Sequence, residues 1–452
     1  MTQTNRENFS GSITTFFATL SAAVGLGNIW RFPYVVGENG GAAFLLVYFG
    51  CVFLIGLPIL IAEFILGRST QKNVVAAYEI RGGSFWKVAG FMGMASSILI
   101  ALFYTAVTGW VYHYFFKSLT NSLSIESTQA SQSAFLSFIN DPASALLWQW
   151  FVILLATLVI CLGVQKGIER VTKYSMPLLF LLVLICLTQS LSLPKAGEGV
   201  SFLLQIDFSK LSRESFLTAL GLAFFKISLG TGAMITYSSY FNNKVNIVKN
   251  ASQIVIADTV VSLLVGLVVF PVVFSFGLAP ESGPGLLFET IPLVFSKMPF
   301  GQFLTPLFFL LAACAATSVT IALFEPSVSY LIEKWQLSRR KATIGLAIFI
   351  TLVGSLAALS ATPTGLLGGI KIFGKSFFDL FDFTSSNLLM PLGGLFTAIL
   401  VGWRLSPELV QNELTNQGQL ALGNFVGIYL TILRYITPIL VLVVFLQALG
   451  IF

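Results

Sequence analysis

The sequence predicts an all-α integral membrane protein of about 11 transmembrane helices. Three observations carry that reading. Of the 452 residues, 56% are hydrophobic and 10% charged, against about 25% charged in soluble domains. About eleven stretches are mostly apolar over the roughly 20 residues that a span requires. Runs such as Leu178 to Leu187 are continuously apolar, whereas barrel strands alternate. With a mean hydropathy of +0.87, 43 Phe and a single His, the charged residues cannot cover a water-facing surface, which excludes an ordinary soluble enzyme.

The spans are expected near 13–36, 41–66, 88–117, 145–165, 173–193, 213–240, 251–279, 302–332, 341–360, 377–403 and 425–450. The polar residues ahead of the first span lack the pattern of a cleaved secretory signal, so that helix is expected to be retained. The net charge of +6 comes from basic residues scattered over short loops, which argues for membrane orientation and against nucleic-acid binding. With the N-terminus in the cytoplasm, most Lys and Arg fall on inner segments, among them Arg68, Lys72, Lys166, Arg170, Arg339, Arg340 and Arg404. An odd number of spans then leaves the C-terminus external, in a multi-pass protein of the plasma (inner) membrane. Arg31, Lys226 and Arg434 remain within spans.

Cys51, Cys161, Cys186 and Cys314 sit in apolar stretches without CxxC spacing and read as small buried hydrophobes. The Ser-, Thr- and Asn-rich stretch from Ser118 to Ser144 reads as a solvated external loop. The stretch from Gly283 to Pro299 is too short to span and reads as a re-entrant or capping loop.

Two spans are expected to break. The first holds Ala22-Ala-Val-Gly-Leu-Gly-Asn-Ile-Trp-Arg-Phe-Pro-Tyr34 and the sixth Phe224-Phe-Lys-Ile-Ser-Leu-Gly-Thr-Gly-Ala233, each with Gly-x-Gly near mid-membrane. Glycine-interrupted helices at matching places in two halves indicate an inverted-repeat transporter that binds ions and anionic groups on unwound backbone. Close helix packing through small residues is the alternative for either motif alone.

Val24-Gly-Leu-Gly-Asn-Ile-Trp-Arg-Phe-Pro-Tyr34 followed by Glu38-Asn-Gly-Gly41 resembles the signature of the neurotransmitter:sodium symporter family. The likeness continues through Phe224-Phe225, Ser228-Leu-Gly230, Pro284-Gly-Leu-Leu-Phe288, Ala316-Thr-Ser318 and Asp379-Leu-Phe-Asp382. Eleven spans and short termini resemble the prokaryotic branch. The resemblance implies a single transporter domain over 1–452 built as a five-plus-five inverted repeat with helices 1 and 6 broken. Spans 1–5 (1–195) form the first repeat, spans 6–10 (205–404) the second, and span 11 (425–452) is peripheral.

The same resemblance implies a sodium ion between the break in span 1 and span 8, on the carbonyls of Ser21, Val24 and Cys314 and the hydroxyls of Thr317 and Ser318. Neutral oxygens suit a weakly held hard cation; back-bonding of Thr317 and Ser318 to their own helix is the alternative. The other family sodium takes Ala23 carbonyl, Asn28, a hydroxyl at the position of Lys226, and Asn or Asp at the position of Asp258. Here that hydroxyl is a lysine, whose ammonium has no lone pair for a cation. A lone ammonium at mid-bilayer costs at least ~2.5–3.5 kcal/mol, so Lys226 is expected to pair with Asp258, to mimic the missing sodium and to face the substrate carboxylate. Snorkelling of Lys226 and proton exchange at the pair stay open. Because Asp258 supplies a negative charge, one sodium site and no chloride requirement are expected.

The implied ligand is an α-amino acid. Its carboxylate would lie on the stretch Gly25, Leu26 and Gly27, through the Leu26 and Gly27 amides, and on the Tyr104 hydroxyl. Its amino group would meet the carbonyls of Ala23, Phe225 and Lys226 and the Ser228 hydroxyl. Ile100, Tyr104, Phe225, Ser228, Thr231, Ser318 and Ala322 would set side-chain selectivity. Arg31 and Asp382 match an external gate; Arg6, Tyr240 and Glu333 match an internal one, where Phe9 and Glu333 depart from the family's tryptophan and aspartate. Gly167 with Pro177 matches a device that lets span 5 unwind. Glu63 is read as structural, His113 as packing and Arg434 as internally satisfied. No HExxH or nucleophile with a base at useful spacing supports an intramembrane enzyme. A proton-coupled or sodium-independent transporter or exchanger, and a non-transporting receptor or channel, remain as alternatives to sodium symport. The lipid bilayer and a small amino acid are the expected partners, and oligomeric state is left open.

Overall fold

The computed structural model describes residues 7–120, 127–277, 287–297 and 300–451. Arg6, expected at the internal gate, and Pro284 to Leu286 of the family motif lie outside the described residues. Among the described residues nine helices are long and apolar enough to cross a membrane: Ala42–Thr70, Ser84–Leu119, Pro142–Cys161, Val164–Leu191, Ile247–Ser275, Gly301–Trp335, Arg339–Leu359, Phe377–Arg404 and Phe425–Ala448. A tenth is a bent pair, Ser12–Ala23 with Gly27–Glu38, turned by 59°. The sixth expected span is also interrupted, as Arg213–Lys226 and Ala233–Ser238, and its second arm of six residues is too short to count alone. In chain order these are spans 1 to 11.

Polar side chains at the helix starts provide the acceptors that first-turn amides need beside lipid. Asp141 accepts from the Ser144 N–H, Asn246 from Lys249 and Ser338 from Lys341. Spans 4 and 5 are joined by Leu162 and Gly163 alone; Gly163 has φ +97°, a value that glycine accommodates without strain. The expected loop at 166–172 is therefore helix, beginning with π-type turns over Val164–Glu169. Part of the expected solvated loop is helical too. Ser127 caps Thr128–Asn140, which buries Phe135, Phe138 and Ile139, and this amphipathic face explains the departure from a simple loop.

Burial orders the bundle. Span 8 has 83% of its most apolar window inside the protein, against 33% for spans 5 and 11, so span 8 forms the axis. Span 8 packs against span 3, and the first arm of span 1 lies against spans 5, 7 and 8. On the opposite face from the N-terminus, Trp110 and Tyr114 of span 3 meet Phe135, Phe288, Phe309 and Phe378 in one aromatic cluster. His113 stacks on Phe138 at 3.7 Å, a packing role. Arg434 donates from Nε to the Gly402 carbonyl, and all four cysteines are free.

Span 2 meets the second arm of span 6 at backbone distance. A Cβ on Gly67 would lie 2.0 Å from Ser238 Oγ and 2.1 Å from the Ile235 carbonyl oxygen. Overpacking of this kind costs about 1–3 kcal/mol. Gly67→Ala is accordingly expected to lower the thermal unfolding midpoint of the purified protein, whereas Gly345→Ala, with open space at its Cβ, should leave it unchanged.

Candidate functional site

The two interruptions face one another at the centre of the bundle. Span 1 leaves the helix at Val24 (φ −79°, ψ 107°). Gly25 and Gly27 are absent from the positive-φ residues, so space rather than backbone freedom decides the first: a Cβ on Gly25 would stand 2.7 Å from Val319 of span 8 and 3.0 Å from Tyr104 Oη. In span 6 the reason is conformational. Ser228, Gly230 and Gly232 have φ of 55°, 75° and 75°, three left-handed residues within five positions, which no helix contains. A Cβ on Gly230 would also lie 2.1 Å from the Met390 carbonyl oxygen of span 10.

Amides freed by the breaks are met by buried side chains. Gly25 N–H donates to Asn28 Oδ1 at 3.1 Å and Leu26 N–H to Tyr104 Oη at 3.1 Å. Gly230 N–H donates to Glu63 Oε1 at 2.7 Å, the structural role expected of Glu63. Ser228 Oγ donates to the Ala22 carbonyl at 3.0 Å, and Thr231 Oγ1 to the Ser228 carbonyl at 2.7 Å. Tyr104 of span 3, Ser228 of span 6 and Val319 of span 8 thus converge on the span 1 break, with Ile100 and Ala322 buried on spans 3 and 8.

The expected ion pair is formed. Lys226 Nζ stands 2.9 Å from Asp258 Oδ2, both side chains fully withdrawn from solvent. Nζ also donates to Ser262 Oγ, with the Phe32 and Tyr48 ring centroids at 4.6 and 5.2 Å. Asn28 Nδ2 donates to Asp258 Oδ1 at 2.6 Å and to Ser262 Oγ at 2.9 Å. The ammonium is therefore engaged by span 7 and two aromatic faces, and Asn28 Oδ1 by Gly25. This arrangement excludes snorkelling and engages the Lys226 ammonium with Asp258 and Ser262, while the lysine stem borders Gly27.

The second set of oxygens lies between span 1 and span 8. Ser21 and Val24 are fully buried, and Thr317 and Ser318 nearly so. Ser318 Oγ donates to the Cys314 carbonyl at 2.8 Å, the back-bonding alternative; a hydroxyl that donates to its own helix still turns lone pairs outward. Thr317 Oγ1 pairs with the Tyr112 hydroxyl at 2.8 Å, and Ser175 Oγ of span 5 stands 3.4 Å from Ser318 Oγ. Tyr112 and Ser175 were not read as site residues from the sequence. Neutral oxygens are the chemistry that a monovalent cation takes, and no group of three or more His, Cys, Asp or Glu that could hold a metal ion exists among the described residues.

Toward the opposite face, the Arg31 guanidinium lies over the Phe225 ring, 4.3 Å from its centroid. Asp382 accepts from Ser386 Oγ at 2.7 Å, and Arg31 makes no direct ion pair with it among the described residues, although it lies within the field of that carboxylate. On the N-terminal face Tyr240 donates to Glu325 Oε1 at 2.5 Å, and Arg339 forks onto the same carboxylate at 2.6 and 3.0 Å. Glu333 accepts from the Asn73 N–H and Nδ2 at 3.0 and 2.8 Å. Phe9 packs edge-on against Tyr237 and Tyr240. Glu325 and Arg339 were missed in the sequence because they are separated by 14 positions and carry no motif.

A family model described as the sodium:neurotransmitter symporter family matches residues 6–134 and 136–452. The chain is 39% identical to the uncharacterized sodium-dependent transporter YhdH of Bacillus subtilis (strain 168), over 100% of this chain and 99% of that one. It is 34% identical to an uncharacterized sodium-dependent transporter of Haemophilus influenzae, covering 98% of each. Among solved structures, MhsT in complex with L-phenylalanine matches with a TM-score of 0.90 and 39% identity, over 98% of this chain and 100% of that chain.

Removing one partner of a buried ion pair leaves an uncompensated charge at a cost of about 3–5 kcal/mol, while replacing both is often close to neutral. Lys226→Met and Asp258→Asn are each expected to lower the unfolding midpoint strongly, and the double variant to regain most of the loss. Additive losses in the double variant would contradict a coupled pair.

Proposed function

The chain belongs to the sodium:neurotransmitter symporter family, and from that membership we propose that it is a sodium-coupled amino-acid symporter in which the Lys226–Asp258 pair replaces one of two sodium ions. It is a multi-pass membrane transporter and not an enzyme. The observation that carries the finer reading is the buried pair itself. A permanent internal cation stands where relatives place a hydroxyl ligand, and Coulomb repulsion there opposes a second cation. Asp258 supplies the negative charge at this place within the protein, so no chloride is required.

The remaining sodium is carried on Ser21, Val24, Cys314, Thr317 and Ser318, with Tyr112 orienting the Thr317 hydroxyl. The substrate carboxylate lies on the amides of Leu26 and Gly27 beside Tyr104, at the start of the second arm of span 1, where the helix dipole favours an anion. Lys226, whose stem borders Gly27, presents its ammonium to that carboxylate in place of the missing sodium. The amino group meets the carbonyls of Ala23, Phe225 and Lys226 and the Ser228 hydroxyl. Because the Ser228 and Thr231 hydroxyls are bonded to backbone, the surface left to the substrate side chain is mainly apolar. The relative solved with L-phenylalanine supports the same class of substrate.

Alternating access follows from the two breaks. Residues 1–195 and 205–404 act as inverted halves, with Arg31, Phe225 and Asp382 closing the external side and Tyr240, Glu333 and Arg6 the internal side. The N-terminus is cytoplasmic, the C-terminus is external, and the membrane is the plasma (inner) membrane.

Reconstituted vesicles carrying an inward sodium gradient are expected to concentrate labelled L-phenylalanine, with full activity when chloride is replaced by gluconate and none when sodium is replaced by choline. Uptake that persists in choline and follows a proton gradient would overturn the sodium reading. Binding without concentrative uptake would identify a receptor.

A further inference from the structure

Spans 10 and 11 lock together where span 10 ends. The last carbonyls of a helix lack partners within it, and that of Gly402 takes one from span 11: Arg434 donates to it from Nε. In return Trp403 Nε1 donates to the Arg434 carbonyl at 3.2 Å. A Cβ on Gly402 would lie 3.2 Å from Arg434 Cγ, so the arginine stem rests on that glycine. Both contact segments are π-type turns, Leu400–Arg404 and Ile432–Ile436. Trp403 and Tyr435 pack edge-on, their ring centroids 5.4 Å apart, and both are more than half exposed, as aromatic side chains at a membrane interface are. Arg434 is thereby held level with the end of span 10, at headgroup depth on the N-terminal face.

Only Nε of this guanidinium is engaged. Among the described residues nothing accepts from Nη1 or Nη2. Gly423, Asn424, Gly427 and Thr431 line a groove of about 530 Å³ in which no acidic side chain stands. A Cβ on Gly423 or Gly427 would meet open space. Asn424, Gly427, Thr431 and Arg434 recur every three or four positions, so groove and guanidinium share one helix face. Past Arg434 toward the membrane, Ile436, Ile439 and Leu442 are exposed.

From this geometry we propose that Arg434 holds the phosphate of an anionic phospholipid with a polyol headgroup, such as phosphatidylglycerol. Two free Nη donors match two phosphate oxygens, and a guanidinium beside hydrocarbon is costly without a counter-charge. Basic pockets between spans are where anionic headgroups settle. The headgroup fills the groove, which offers the Asn424 amide and no carboxylate for an ammonium, and the acyl chains run along Ile436, Ile439 and Leu442. The exposed Arg404, next to Trp403, adds positive charge. The bound lipid braces span 10 against span 11. This site is independent of what the protein carries and of the sodium reading.

Thermal unfolding of the full chain in detergent micelles, titrated with phosphatidylglycerol, tests the site, because a ligand of the folded state raises its midpoint. A saturable rise is expected with phosphatidylglycerol, a rise needing about tenfold more lipid with phosphatidylcholine of the same chains, and none with glycerol phosphate, which is soluble. Arg434→Gln is expected to raise the half-saturating phosphatidylglycerol concentration about tenfold. Gly427→Leu, which fills the groove and leaves the arginine in place, is expected to raise it as well. Arg340→Gln removes the same charge from an exposed position at the start of span 9 and should leave it unchanged. An unchanged value in Arg434→Gln, an equal effect of Arg340→Gln, or an equal response to phosphatidylcholine would overturn the proposal. Stabilisation by glycerol phosphate would overturn it too, in favour of a soluble phosphate ligand. Should Arg434→Gln fail to fold, Gly427→Leu decides alone, and an unchanged half-saturation there would overturn the site.

Discussion

The contact on which the site depends is the ion pair of Lys226 and Asp258 in the middle of the bundle. Neither charge is stable alone in a lipid-enclosed interior, and their attraction offsets desolvation only because Ser262 and Asn28 complete the hydrogen bonding. That arrangement fixes the break in span 1: Asn28 gives its amide hydrogens to Asp258 and Ser262, and its oxygen to Gly25 N–H. It also joins the broken span 6 to span 7. A lysine at this position is therefore a structural centre.

Around that centre, the two helix breaks leave backbone groups that need partners. Each break frees amides and carbonyls that lipid cannot solvate. In span 6 the Gly230 amide is met by Glu63; in span 1 the Leu26 amide is met by Tyr104. At both ends side chains of several spans meet, Arg31 with Phe225 at one and Tyr240 with Glu325 and Arg339 at the other.

Much of this was legible in the sequence, for physical reasons. Span number follows from length and hydropathy, the breaks from Gly-x-Gly at mid-membrane, and a partner for Lys226 from the cost of a lone ammonium in lipid. Other features were not legible because they are relations between distant elements. Nothing in the sequence pairs Tyr112 with Thr317, or Arg434 with Gly402. Gly25 looks like a conformational glycine and is in fact a spatial one, decided by Val319. The helix at Thr128–Asn140 was hidden by its polar composition, since three buried residues suffice to dock it. Family likeness pairs Arg31 with Asp382; the position of the guanidinium over Phe225 has no counterpart in that motif.

Counting sodium tests the central claim most directly. With labelled sodium and labelled L-phenylalanine in the same vesicles, the initial influx ratio is expected to be about one sodium per substrate, because a fixed ammonium occupies the other place. A ratio of two would contradict the account, since the Lys226–Asp258 pair would then coexist with the ion it is held to replace.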